Sequence, residues 1–337
     1  MTFNPRDFLP AEILAQITDI RVTDPERSLQ VAKARKRRER LTKNGKLNIL
    51  AADHPARRVT RVGRDPLRMA DRREYLARIL RVMMCDGVDG LLATMDIIED
   101  LLLLHDLMRE RGGPAFLDDK LLIISFNRGG LLGSSWEIDD PNSGPTAASC
   151  VEWGLDGAKV LLRLCDAEKD SLKTLLATVQ AITELNAVGL PMFLESLPVV
   201  KSEGGYKIVK QAEELARTAG AAAALGDSAR YLWLKLPYCE NYELVARATT
   251  LPILLLGGEP VGDATPFLRE LAAGLTAGPN VRGALVGRNI LFPGDDDPLA
   301  AIEAVAGIIH KGWTLERALD EQAPHRGRDL DWLARIS

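Results

Sequence analysis

The chain has 337 residues, of which 46% are hydrophobic and 27% charged, enough apolar surface for a large core and too much for a disordered segment. A formal charge of −4 leaves no general footprint for nucleic acid. Cys85, Cys150, Cys165 and Cys239 stand far apart, which excludes a disulfide scaffold or a CxxC zinc site, and His54, His105, His310 and His325 are too scattered to imply a metal.

No apolar run reaches membrane-spanning length and the first residues lack the order of a signal peptide. A cytoplasmic protein with no membrane or nucleic-acid partner is expected. The first 45 residues form a charged extension with candidate helices over 11–17 and 25–40. Its basic run, Lys33 to Arg40, is expected to be a solvated helix face.

From residue 46 a regular alternation begins. Apolar strands are predicted at Asn48–Asp53, Gly90–Thr94, Lys120–Phe126, Ala158–Arg163, Pro191–Glu195, Arg230–Pro237, Pro252–Leu256 and Gly283–Val286. Helices are predicted after them, near 66–85, 96–111, 146–153, 171–187, 205–225, 241–248, 264–277 and 298–311. Eight strands, each followed by a helix, predict an α/β fold, a closed (β/α)8 TIM barrel over 46–312, with a helical extension over 1–45 and a tail over 313–337. A doubly wound open sheet is the rival, but no GxGxxG follows the first strand.

In such a barrel, chemistry gathers at the carboxyl ends of the strands. Polar residues fall there: Asp53 on the first strand, Asn127 and Arg128 after the third, Lys159 and Arg163 on the fourth, Glu195 on the fifth and Lys235 on the sixth. Alternation puts Lys159, Leu161 and Arg163 on one face of their strand, and Tyr231, Trp233 and Lys235 on one face of theirs. Charges inside apolar strands are costly unless paired, so several on one rim suggest a site. A desolvated Lys235 could act as an amine nucleophile, although a lone strand-end lysine is more often a surface residue. Gly257-Gly258 and Gly287-Arg288-Asn289 follow the last two strands, where barrels commonly bind phosphate; tight turns are the ordinary alternative.

These motifs resemble the class I, Schiff-base aldolases of the barrel superfamily that holds archaeal-type fructose-bisphosphate, tagatose-bisphosphate and deoxyribose-phosphate aldolases. The resemblance runs from Leu47 to Lys311. It is carried by LAADH (50–54), GLDGAKVLL (154–162), FLES (193–196), LWLKLP (232–237) and GALVGRNIL (283–291). The nearest subgroup is the deoxyribose-phosphate-aldolase-like proteins encoded among bacterial sugar or inositol catabolism genes.

The resemblance implies a lyase cleaving a sugar phosphate or related carbonyl compound, without metal or cofactor, by a homo-oligomer. Lys235 would form the Schiff base, Glu195 and Asp53 would handle protons or substrate hydroxyls, and Lys159 would be a second cation. Gly257, Gly258, Gly287 and Arg288 would hold a phosphate, with Arg163 and Asn127 near the substrate. The chain departs from the pattern in three places: Glu259 beside the phosphate loop, Arg163 where relatives place a tyrosine, and the long loop 129–144. Two rival readings are a lyase or isomerase whose Asp53 and Glu195 hold a divalent metal, and a non-catalytic sugar-phosphate-binding protein.

Overall fold

The computed structural model describes residues 3–259, 262–330 and 333. Eight parallel strands close into the expected barrel: β1 (Leu47–Ala52), β2 (Gly90–Ala93), β3 (Leu121–Ser125), β4 (Gly157–Leu164), β5 (Met192–Ser202), β7 (Leu232–Pro237), β8 (Ile253–Leu256) and β9 (Val281–Val286). The ninth strand, β6 (Gly205–Ile208), pairs antiparallel with the far end of β5. The ring order is β1, β2, β3, β4, β5, β7, β8, β9 and back to β1, with β4–β5 and β1–β9 completing it.

The strands are nearly continuous apolar runs because both faces are covered. One face packs on the helix layer. The other fills the barrel with Leu47, Ile49, Ala51, Leu121, Ile123, Phe193, Leu254 and Leu285, closed below by Leu41 and flanked by Trp233. Two residues beyond the top of this plug, the same alternation delivers Asp53 above Ala51, Ser125 above Ile123, Glu195 above Phe193 and Lys235 above Trp233.

Three predicted elements take other forms. The helix expected over 66–85 is a 3-10 turn at Arg68–Ala70 followed by a helix over Arg72–Met83, because the Asp71 side chain caps it by accepting the Glu74 N–H at 3.0 Å. Gly205–Ile208, predicted as the start of a helix, is strand: β5 runs past the rim to Ser202 and turns through Gly204 at φ +83°. The helix behind it covers only Ala212–Ala223.

The basic run is the third. Its helix ends at Ala34; Lys33, Lys36, Arg37 and Arg40 are exposed, while Arg35 and Arg38 turn in beneath the barrel. Arg35 donates to the carbonyls of Leu117 (3.1 Å) and Lys120 (2.6 Å) and pairs with Asp156 at 3.2 Å. Arg38 pairs with Asp89 at 2.8 Å. These acids precede β4 and β2 and accept the backbone N–H groups of Leu122 and Asn48, both at 2.8 Å. The extension therefore clamps the lower rim of the barrel, with two short helices, Pro5–Phe8 and Ala11–Thr23, outside it.

Candidate active site

Five elements converge on one ladder of charge above the apolar plug. Lys235 Nζ on β7 lies 3.0 Å from Glu195 Oε1 on β5, and Lys159 Nζ on β4 lies 2.6 Å from Glu195 Oε2. Lys159 also reaches Asp53 Oδ2, just after β1, at 3.4 Å. Arg128, after β3, forms an ion pair with the same Asp53 carboxylate. Lys235 and Lys159 are only 5% and 1% exposed, so both amines sit out of bulk water.

Their surroundings act on them in opposite directions. Burial, the largest influence, pushes the Lys235 amine below its ordinary 10.5; Glu195 pulls it back up, and the Arg128 and Arg288 guanidiniums push it down. Lys159 is driven well below the same value, by burial first and then by Arg128. Burial disfavours ionisation of Glu195, yet Lys159 and Lys235 outweigh it and hold the carboxyl far below the usual carboxylate range. Glu195 is therefore held as an anion between two amines whose pKa values burial lowers. Arg128 is pushed down to about 10 by burial and by Arg163, against Glu195 and Asp140.

The ladder borders a cavity of about 730 Å³, the size of a small-molecule site. Gly257, Gly258, Gly287 and Arg288 line its far side, and Arg163 lines it on the β4 side. Gly287 is required there: a Cβ would lie 2.2 Å from the Ala51 carbonyl and 2.6 Å from His54 Cε1. Glu259 lines the same side, 87% exposed and 3.8 Å from Arg288.

Asn127 is placed elsewhere. It does not line the cavity; its Nδ2 donates to the carbonyls of Leu161 (2.7 Å) and Asp140 (3.1 Å) and its Oδ1 accepts the Leu161 N–H at 2.8 Å. It clips the loop after β3 onto β4 as a structural residue rather than a substrate contact.

Several cavity residues had no assigned role in the sequence reading. Arg128 was noted at a strand end, yet nothing local tied it to Asp53. Glu137, from the long loop, bonds Arg163 Nη1 at 2.5 Å. Tyr206 and Lys207 reach the cavity from the β5–β6 hairpin. His54 borders it as well, its imidazole held neutral mainly by burial and by Arg288.

A (β/α)8 barrel with paired buried lysines at its mouth shares its fold with solved Schiff-base aldolases. A structure described as a Schiff-base-forming fructose-1,6-bisphosphate aldolase is similar at TM-score 0.59 and 21% identity, covering 84% of this chain and 100% of that one. Fructose-bisphosphate aldolase from Slackia heliotrinireducens gives TM-score 0.60 at 16% identity, covering 96% of each chain. At these identities the likeness is one of fold.

The crystal structure of Cgl0159 from Corynebacterium glutamicum is nearer, with TM-score 0.84 and 37% identity, covering 90% of this chain and 99% of that chain. The Cgl0159-like family model matches residues 45–306, and the chain belongs to that family. No curated protein matches.

Proposed function

We propose that the protein is a class I aldolase, a carbon–carbon lyase that acts through a Lys235 Schiff base on a sugar phosphate or related carbonyl compound in carbohydrate catabolism. The observation that carries this reading is the placement of Lys235 Nζ, buried beside a second amine and 3.0 Å from the Glu195 carboxylate, at the edge of a small-molecule cavity. The fold is also that of an archaeal fructose-1,6-bisphosphate aldolase whose structure is described as having its catalytic lysine covalently bound to the carbinolamine intermediate.

The chemistry follows from the ladder. The free amine of Lys235 adds to the substrate carbonyl to give a carbinolamine, and departure of its hydroxyl as water, with a proton taken from solvent in the cavity, gives the protonated imine, whose charge the Glu195 carboxylate balances. A base removes the proton from the hydroxyl next to the bond that breaks. The C–C electron pair moves into the imine to form an enamine, and the aldehyde fragment departs. Protonation of the enamine carbon and addition of water release the second product and restore the amine. Asp53, oriented by Arg128 and Lys159, suits the hydroxyl end of this sequence. Lys159 keeps Glu195 ionised, and Arg288 with the backbone of Gly257, Gly258 and Gly287 suits a phosphate.

The metal-assisted alternative has less support. Asp53 and Glu195 are already paired with Arg128, Lys159 and Lys235, whose positive charge opposes a divalent ion.

Borohydride reduction in the presence of dihydroxyacetone phosphate tests the proposal. A mass adduct located on Lys235 and lost in Lys235→Met is expected, together with a loss of turnover of about a thousandfold or more. An adduct that persists in Lys235→Met would remove the mechanism.

A further inference from the structure

The charges around the mouth are not equivalent. β4 and β9 stand four strands apart in the ring of eight, so their ends face each other across the cavity. On the β9 side Arg288 is held less tightly: among the described residues its ion pair is with Glu259, an exposed carboxylate 3.8 Å away that also lines the cavity. On the β4 side the cations are locked. Arg163 binds the Glu137 carboxylate at 2.5 Å and also donates to the Glu137 carbonyl. Arg57 Nη1 binds Asp140 at 2.5 Å and Nη2 donates to the Gly130 carbonyl at 2.6 Å. Glu137 Oε2 accepts the Gly133 N–H at 2.9 Å, which fixes it in the loop.

We propose that the substrate carries one phosphate, seated at Arg288, and that Glu137, by holding Arg163, makes the opposite end accept an uncharged, hydroxylated terminus. This rests on the reading of the cavity as a sugar-phosphate site. A second phosphate there would face the buried Glu137 carboxylate. It could reach Arg163 only by displacing Glu137, which would strand a carboxylate that is 4% exposed. The rim offers Lys207 and Lys210, but both are exposed, and contacts of that kind change affinity by no more than about fivefold.

Calorimetric binding to the full chain, with fructose 1-phosphate, fructose 6-phosphate and fructose 1,6-bisphosphate, decides it. The bisphosphate is expected to bind less than about tenfold tighter than the better monophosphate, and Arg288→Gln is expected to weaken that monophosphate by about tenfold. Glu137→Gln frees Arg163, so it should tighten the bisphosphate by about tenfold while changing the monophosphates by less than about threefold. Should Glu137→Gln fail to fold, Arg163→Gln serves, since it should leave the ratio of bisphosphate to monophosphate affinity unchanged. A wild-type preference for the bisphosphate above about tenfold, a folded Glu137→Gln without the gain, a selective loss in Arg163→Gln, or no binding by any of the three overturns the proposal. Borohydride trapping on the same samples reads Lys235 separately: the expected affinities without an adduct remove the aldolase chemistry and leave the selectivity standing.

Discussion

Both ends of this barrel bury charge, and they bury it differently. At the lower rim the cations are mostly guanidiniums, and they bind backbone as well as acids: Arg35 holds two carbonyls and Asp156, while Asp156 and Asp89 hold the N–H groups of Leu122 and Asn48. Lys120, a half-buried amine there, donates to the carbonyls of Cys85 and Val88 at 3.0 and 2.6 Å. At the mouth the amines of Lys159 and Lys235 bind carboxylates that are themselves side chains, and they border open space. A guanidinium keeps its proton in proteins, whereas an ammonium can lose one when desolvated. Burial of charge therefore does not separate framework from chemistry; the kind of cation and the kind of partner do.

That contrast can be broken at either end. The largest effect is expected from Glu195→Gln, which leaves two buried amines without their shared anion and the protonated imine without its counter-charge. Turnover should fall by about a hundredfold to ten-thousandfold, measured as kcat on whichever carbonyl substrate is turned over. If kcat were unchanged, Glu195 would belong with the lower-rim acids. Next is Asp156→Asn, which strands Arg35, whose side chain is fully buried. A stability loss of about 3–5 kcal/mol in denaturant titration is expected, with Lys235 labelling intact. Loss of labelling in a folded Asp156→Asn protein would show the two ends to be coupled.

The smallest effect is one of pH. Because Lys235 is held below its ordinary 10.5, adduct formation should have its midpoint below that value. Glu195 raises the Lys235 pKa, so Glu195→Gln should move the midpoint lower still. The linkage to stability has the same sign. The unfolded chain takes up a proton on residues 159 and 235 more readily than the folded one, so their burial costs stability at neutral pH. That cost is relieved as pH rises from the depressed values toward 10.5. Thermal melts of Lys159→Met against pH should show a flatter profile over that window; an identical profile would contradict the depressed amine.

How much of this was legible in the sequence depended on whether a residue's partner was local. The alternation in β1, β5 and β7 places Asp53, Glu195 and Lys235 above the plug because parity is a property of one strand. Arg163 and Lys159 share a face of β4 for the same reason, and both border the cavity. Parity is silent about loops. Asn127 looked like a rim residue, yet its amide clips two backbones that meet only after β3 and β4 pair. The hairpin was missed because the predicted strand stops at Glu195, while β5 spans eleven residues, Met192–Ser202, through Pro198. The basic run misled because its partners, Asp89 and Asp156, lie far along the chain, and a charge count cannot show which acids will be beneath it.

The length of β5 has a mechanical corollary. The strand that fixes Glu195 continues without a joint into the hairpin bearing Tyr206, so anything that presses on that overhang leans on the same beam that carries the acid. Along that beam the pairing partner changes from β4 to β6 between Pro198 and Val199. On this side the entrance lies under an overhang built from the same strand that carries the acid.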